Sequence, residues 1–191
     1  MKAIPWTFDA RPDTRTTNVR MGVWLFLASE AMFFGSLFSA YVLLRSGAES
    51  WPDASGLLDL RLAWLNTGLL AGSAVALVAT RNVGPGFSPA MGVSLSAALG
   101  VGFLAVKTFE YQSKLNAGLH PSTNILLACW FTLTAVHALH VAAGVGVNVW
   151  LVVAAKRVPS AHAMERLHTA RLYWFFVDVV WIAILISFYL I

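Results

Sequence analysis

The stretch WLFLASEAMFFGSLFSAYVLLR, residues 24–45, decides how the rest of the chain is read. It places a single acid, Glu30, inside an otherwise apolar run that Arg20 precedes and Arg45 closes. A helix rises about 1.5 Å per residue, so about 20 apolar residues cross a hydrocarbon layer of roughly 30 Å. The composition agrees with a membrane span. Hydrophobic residues make up 58% of the 191, charged residues only 12%, and the mean hydropathy is +0.70. Soluble domains carry about 25% charged residues. Lipid offers the backbone no hydrogen bonds, which leaves helices as the natural spanning element. The expected fold is therefore all-α, one integral membrane bundle.

Charged residues and turn signals divide the chain into a polar tail, residues 1–19, and a membrane domain, residues 20–191, with five transmembrane helices. The spans are expected at about 21–44, 62–80, 89–111, 124–155 and 172–191. NVGPGFSP (82–89) and NAGLHPST (116–123) read as turns, and KRVPSAHAMERLHTAR (156–171) as the longest polar connection. The tail, with Pro5 and Pro12, does not resemble a cleaved leader, so the first span is expected to direct its own insertion. Lys2, Arg11, Arg15, Arg20, Arg81, Lys156, Arg157, Arg166 and Arg171 gather on one side of such a topology, against Arg45, Arg61 and Lys114 on the other. That asymmetry places the N-terminus in the cytoplasm and the C-terminus outside. The net charge of +4 reflects these flanking residues and does not indicate nucleic acid. Cys129 stands alone, which excludes an internal disulfide and a CxxC metal site.

Small residues recur at helical spacing: Ala31, Gly35 and Ser39; Gly68, Gly72, Ala76 and Thr80; Gly92, Ser96 and Gly100. Such stripes let helices approach closely and are expected to serve packing within the bundle. Trp24, Tyr41, Trp51, Trp64, Tyr173 and Trp174, near span ends, read as interface anchors. The informative residues are polar and deep. Glu30 lies about 15 Å inside its span and Asp178 about 10 Å inside the last. His137 and His140 share a face of the long fourth span. An acid at that depth is expected to be neutral or paired. Lys107 and Glu110, three apart near the end of the third span, are expected to form a structural ion pair. The histidines suit interhelical hydrogen bonding. A metal there lacks a third ligand, and bis-histidine haem lacks a histidine on a second span, because His120, His162 and His168 fall in connections. No Gly-rich phosphate loop or nucleophile elbow is present.

Five ordered segments carry a resemblance to a known family: residues 24–45, WLNTGLLAGSA (64–74), FLAVKTFEY (103–111), FTLTAVHALHVAAG (131–144) and YWFFVDVVWIAILISFY (173–189). The chain resembles subunit III of the haem–copper oxidases, as in cytochrome c oxidase, in the short bacterial form with five helices. The family's first shared acid falls on Glu30, its histidine pair on His137 and His140, its Glu-Tyr pair on Glu110 and Tyr111, and its late aspartate on Asp178. Phe175 stands where many members have histidine, and Lys107 where many have glutamine.

The resemblance implies a non-catalytic subunit that binds no haem, copper or other cofactor of its own. Those groups belong to partner subunits I and II. It further implies packing on subunit I, bound structural phospholipid, location in the bacterial cytoplasmic membrane, and a supporting role in proton uptake and lasting turnover for Glu30, His137, His140 and Asp178. A respiratory supercomplex is a further partner that it admits, and nucleic acid is not. Glutamate in SEAMFF (29–34) points to the cytochrome c enzymes, with quinol oxidase and the nitric-oxide-reductase-associated homologue as alternatives within the family. Outside it stand a lipid-organising scaffold and a small proton-coupled transporter relaying protons through Glu30, His137 and Asp178. The transporter reading finds neither repeats nor broken helices in its favour.

Overall fold

Thr17 begins the first helix by accepting the Arg20 amide proton on its hydroxyl, one of the donors that a helix start leaves open. From there a computed structural model of the chain, which describes residues 7, 9–80, 88–154 and 160–190, runs through five helices. They are α1 (Asn18–Gly47), α2 (Leu60–Ala79), α3 (Pro89–Asn116), α4 (Ile125–Ala154) and α5 (Ser160–Leu185), and α5 continues as a π-helical turn, Ile186–Leu190. All five are long and apolar enough to cross a membrane, so this is a multi-pass membrane protein. No strand occurs among the described residues. Lys2, Arg81, Lys156 and Arg157 of the charge asymmetry lie outside them, as do residues 82–87 of the second connector.

Caps explain the helix boundaries. Asp59 accepts from the Arg61 and Leu62 amides at the start of α2, Ser88 from Met91 ahead of Pro89 in α3, and Asn124 from Leu127 in α4. α3 ends where Gly118 takes φ +76°, which lets Gly118 donate to Leu115 O and Leu119 to Lys114 O. The largest departure from the sequence reading is α5. It starts at Ser160, inside the stretch read as a polar connection, so His168 is helical. Its polar first turns are held by groups remote in sequence. Glu165 takes both ends of the Arg20 guanidinium, at 2.8 and 3.2 Å, and the Thr17 hydroxyl at 2.7 Å. Arg166 stacks 4.9 Å from the Trp150 ring.

Helices α2 to α5 form the packed body, and α1 leans on α5 while touching α4 lightly. The small residues divide accordingly. Ser73 and Ser96 meet hydroxyl to hydroxyl at 2.7 Å across α2 and α3, and Asn148 of α4 donates to Ser96 at 3.1 Å. Gly100 and Gly144 open a slot on α3 and α4 that the Trp174 indole of α5 fills. Gly35 and Gly68, by contrast, have no atom within 4 Å of where a Cβ would sit, and Ala31, Gly35 and Ser39 are exposed on α1. That stripe does not serve packing within this chain. Two expected interface anchors are also core residues: Tyr41 is 4% exposed and Trp174 1%. Tyr41 is drawn inward by its bond to the Ser187 carbonyl at 2.6 Å.

A Cβ on Gly100 would lie 2.6 Å from Val145 Cγ2 and 2.9 Å from the Trp174 ring. Gly100→Ala is therefore expected to destabilise the bundle by about 1–3 kcal/mol, as overpacking does. Gly35→Ala should leave stability unchanged. Denaturant titration followed by circular dichroism in detergent micelles distinguishes the two.

Candidate functional site: the intramembrane carboxyl and imidazole groups

Glu30 projects from α1 at the same level as His140 of α4, and its Oε2 lies 3.0 Å from the imidazole Nε2. The other ring nitrogen, Nδ1, is 2.8 Å from the Val136 carbonyl oxygen. A carbonyl only accepts, so Nδ1 carries a hydrogen and donates it. One labile proton then remains for the Nε2–Oε2 contact. It resides either on the carboxyl, which donates to a neutral ring, or on the ring as an imidazolium facing a carboxylate. Both arrangements have zero net charge, which is what allows the pair to stand in lipid. Both side chains are partly exposed, at 19% for Glu30 and 17% for His140. Phe34 covers the imidazole edge-on at 5.0 Å, and the Tyr173 hydroxyl donates to the His140 carbonyl at 2.8 Å.

His137 shares neither the partner nor the surroundings of His140. It is fully buried, with Phe103 edge-on at 5.5 Å and the Trp181 ring at 5.4 Å, and neither of its ring nitrogens has a hydrogen-bond partner. The interhelical bond expected of the histidine pair is thus made by His140 alone. Asp178 is not joined to either histidine or to Glu30, and its buried Oδ1 has no partner. The chain of Glu30, His137 and Asp178 that a transporter relay requires is not connected by hydrogen bonds. Among the described residues, no group of three His, Cys, Asp or Glu side chains could hold a metal ion.

Lys107 and Glu110 form the expected pair, 2.8 Å apart, with both side chains almost wholly buried. Sequence spacing did not reveal the shell around them. The Tyr189 hydroxyl accepts from the Trp130 indole at 2.8 Å and from Lys107 at 3.4 Å, and donates to Glu110 Oε1 at 3.1 Å. The Lys107 ammonium also sits 4.8 Å from the Trp130 ring and 5.0 Å from that of Trp181. Aromatic faces attract a cation that has lost its water. Thr134 donates to Trp130 O, so the Tyr111 hydroxyl, 2.7 Å away, donates to Thr134. Tyr189 belongs to the π-helical turn, and a tyrosine at the end of an apolar run carries no sequence signal of a buried role.

Comparison with known proteins fits this arrangement. Residues 10–191 match the family Cytochrome c oxidase subunit III. The chain is 30% identical over 195 residues to Cytochrome c oxidase subunit 3 of Bacillus sp. strain PS3, covering 96% of this chain and 93% of that protein. It is 30% identical over 187 residues to a protein of Aeropyrum pernix named Heme-copper oxidase subunit I+III, covering 91% of this chain and 23% of the relative. It is 27% identical over 181 residues to Cytochrome bo(3) ubiquinol oxidase subunit 3 of Pseudomonas aeruginosa, covering 91% of this chain and 85% of that protein. The chain belongs to the cytochrome c oxidase subunit III family.

The two pairs respond differently to substitution. Glu110→Gln strands the Lys107 ammonium and is expected to cost about 3–5 kcal/mol, whereas Lys107→Met combined with Glu110→Leu recovers most of that loss. For Glu30 and His140, a double-mutant cycle with leucine at each position should give a coupling of about 1–2 kcal/mol, the upper range for hydrogen bonds in membranes. Glu30→Gln should retain the contact, with its amide donating to Nε2. Unfolding titrations in mixed micelles measure all of these.

Proposed function

From membership in that family, we propose that the chain is the accessory subunit III of a respiratory haem–copper terminal oxidase of the cytochrome c type. It lies in the bacterial cytoplasmic membrane with its N-terminus inside and its C-terminus outside. The haems and copper reside in subunits I and II, and this chain packs on them without a redox centre of its own. The observation that carries the reading is the family match over residues 10–191, nearly the whole chain. The Aeropyrum relative supports the pairing with subunit I, since its name joins the two subunits in one polypeptide. The cytochrome c assignment rests on Glu30 within SEAMFF and on relatives such as the Bacillus protein.

The Glu30–His140 contact supports a role in proton uptake. It holds one transferable proton without net charge and remains partly open to its surroundings. Phospholipid binding fits the gap that α1 leaves beside α4. An apolar recess of about 250 Å³ lies between Leu37, Ala40 and Leu44 on one side and Ile125, Ala128 and Thr132 on the other. A cavity of about 540 Å³ adjoins it through Tyr41 and is lined by Arg45, Trp51 and Ser187. The recess suits an acyl chain and the Arg45 end suits a phosphate.

Purification through a tag on this chain is expected to bring out haem-bearing and copper-bearing subunits, seen by mass spectrometry and visible spectra. Glu30→Gln should leave haem content and initial electron transfer intact and shorten the turnover lifetime several-fold. Loss of haem on that substitution, or purification of the chain without redox partners, would count against the reading.

A further inference from the structure

Among the described residues, three indoles lie fully inside the bundle, those of Trp130, Trp174 and Trp181. Two of them donate within the chain, Trp130 to the Tyr189 hydroxyl at 2.8 Å and Trp181 to the Thr67 hydroxyl at 3.0 Å. The third does not: Trp174 Nε1 is buried and has no acceptor in the chain. Protein interiors rarely leave such a donor unpaired.

An acceptor in the same condition lies about one helical turn away. Asn148 of α4 is fully buried; its Nδ2 donates to Ser96 Oγ at 3.1 Å, and its Oδ1 has no donor in the chain. Trp174 lies against Gly144, with Cε2, the ring carbon that bears Nε1, 3.3 Å from where a Gly144 Cβ would sit. Asn148 stands four residues beyond Gly144 on the same face of α4, and helical side chains lean toward the preceding turn, here toward Gly144. α3 repeats the arrangement, with Gly100 beside Trp174 and Ser96 beside Asn148. A helical turn of about 5.4 Å is too long for one hydrogen bond and close to the span of two that share an oxygen, at roughly 2.8 Å each. Both atoms are enclosed by this chain alone, which keeps lipid and partner helices from them. The residues around them are small: Ser73, Ser96, Gly100 and Gly144.

We propose that one internal water molecule is bound at this junction, accepting from Trp174 Nε1 and donating to Asn148 Oδ1. Its second hydrogen has the α4 carbonyls beside Gly144, because a helix carbonyl keeps a spare lone pair. Buried waters typically make about three such bonds. The Ser73–Ser96–Asn148 cluster joins α2, α3 and α4, and the water extends it to α5. The site lies in the chain's own core and is independent of the oxidase reading.

The test uses the full chain in lipid bilayers with isotope-labelled tryptophan. Water-edited solid-state NMR is expected to transfer magnetisation from water to the Trp174 indole, identified by its loss in Trp174→Phe. The Trp130 and Trp181 indoles, whose acceptors are protein groups, should receive none. Benzothienylalanine in place of Trp174 exchanges only the indole N–H for sulfur. It should raise the unfolding equilibrium constant in mixed micelles by about fivefold, as loss of a formed hydrogen bond does. Removing a donor that was never paired would instead leave stability unchanged or increase it. Absence of transfer to Trp174, or a replacement that is neutral or stabilising, overturns the inference. A direct Trp174–Asn148 bond would give the loss of stability without the transfer, and overturns it as well.

Discussion

In hydrocarbon a polar side chain has only the partners that protein supplies, and this constraint orders the whole bundle. The Lys107–Glu110 pair shows its strongest form. Its attraction is opposed by the desolvation of both ions, so the pair alone is no guarantee of stability. The surrounding indoles and the Tyr189 hydroxyl supply the remaining contacts, and they come from α4, α5 and the π-helical turn. One charged pair on α3 thereby fixes where three other elements must lie. Ser73, Ser96 and Asn148 do the same with neutral groups toward the opposite end of the bundle.

The same constraint separates α1 from the rest. The other helices share dense contacts through glycine and serine, while α1 rests mainly on α5 and is fastened by a few polar points. Arg20 and Thr17 hold Glu165 at one end, Glu30 holds His140 midway, and Tyr41 holds the Ser187 carbonyl at the other end. Between those points the helix stands away from α4, which creates the recess along Leu37 and Leu44. The feature that makes α1 the least buried helix is also the one that gives the molecule a lipid-sized gap.

Much of this was legible from the sequence because lipid imposes coarse rules. Apolar length marked the helices, and a spacing of three placed Lys107 and Glu110 together. Long-range partners were not legible. Nothing local to Glu30 indicates His140, and the early start of α5 depends on Arg20, 145 residues away from Glu165. The exposed small-residue stripe of α1 has the same pattern as the buried one of α3 and the half-buried one of α2, so spacing alone could not separate a packed face from an open one. Tyr41 and Trp174 were misplaced for a related reason. An amphipathic ring near a span end suits the interface, and only a waiting carbonyl or a glycine slot draws it inside.

The two acid-bearing contacts also differ in when they can form during biogenesis. Lys107 and Glu110 sit on a single helix, so α3 can leave the translocon with its charges already cancelled. Glu30 leaves with α1, 110 residues before His140 is made. Until α4 arrives, that first helix must shelter its acid against the insertion machinery or keep it protonated. The nascent chain therefore passes through an interval in which its earliest segment is its least settled one.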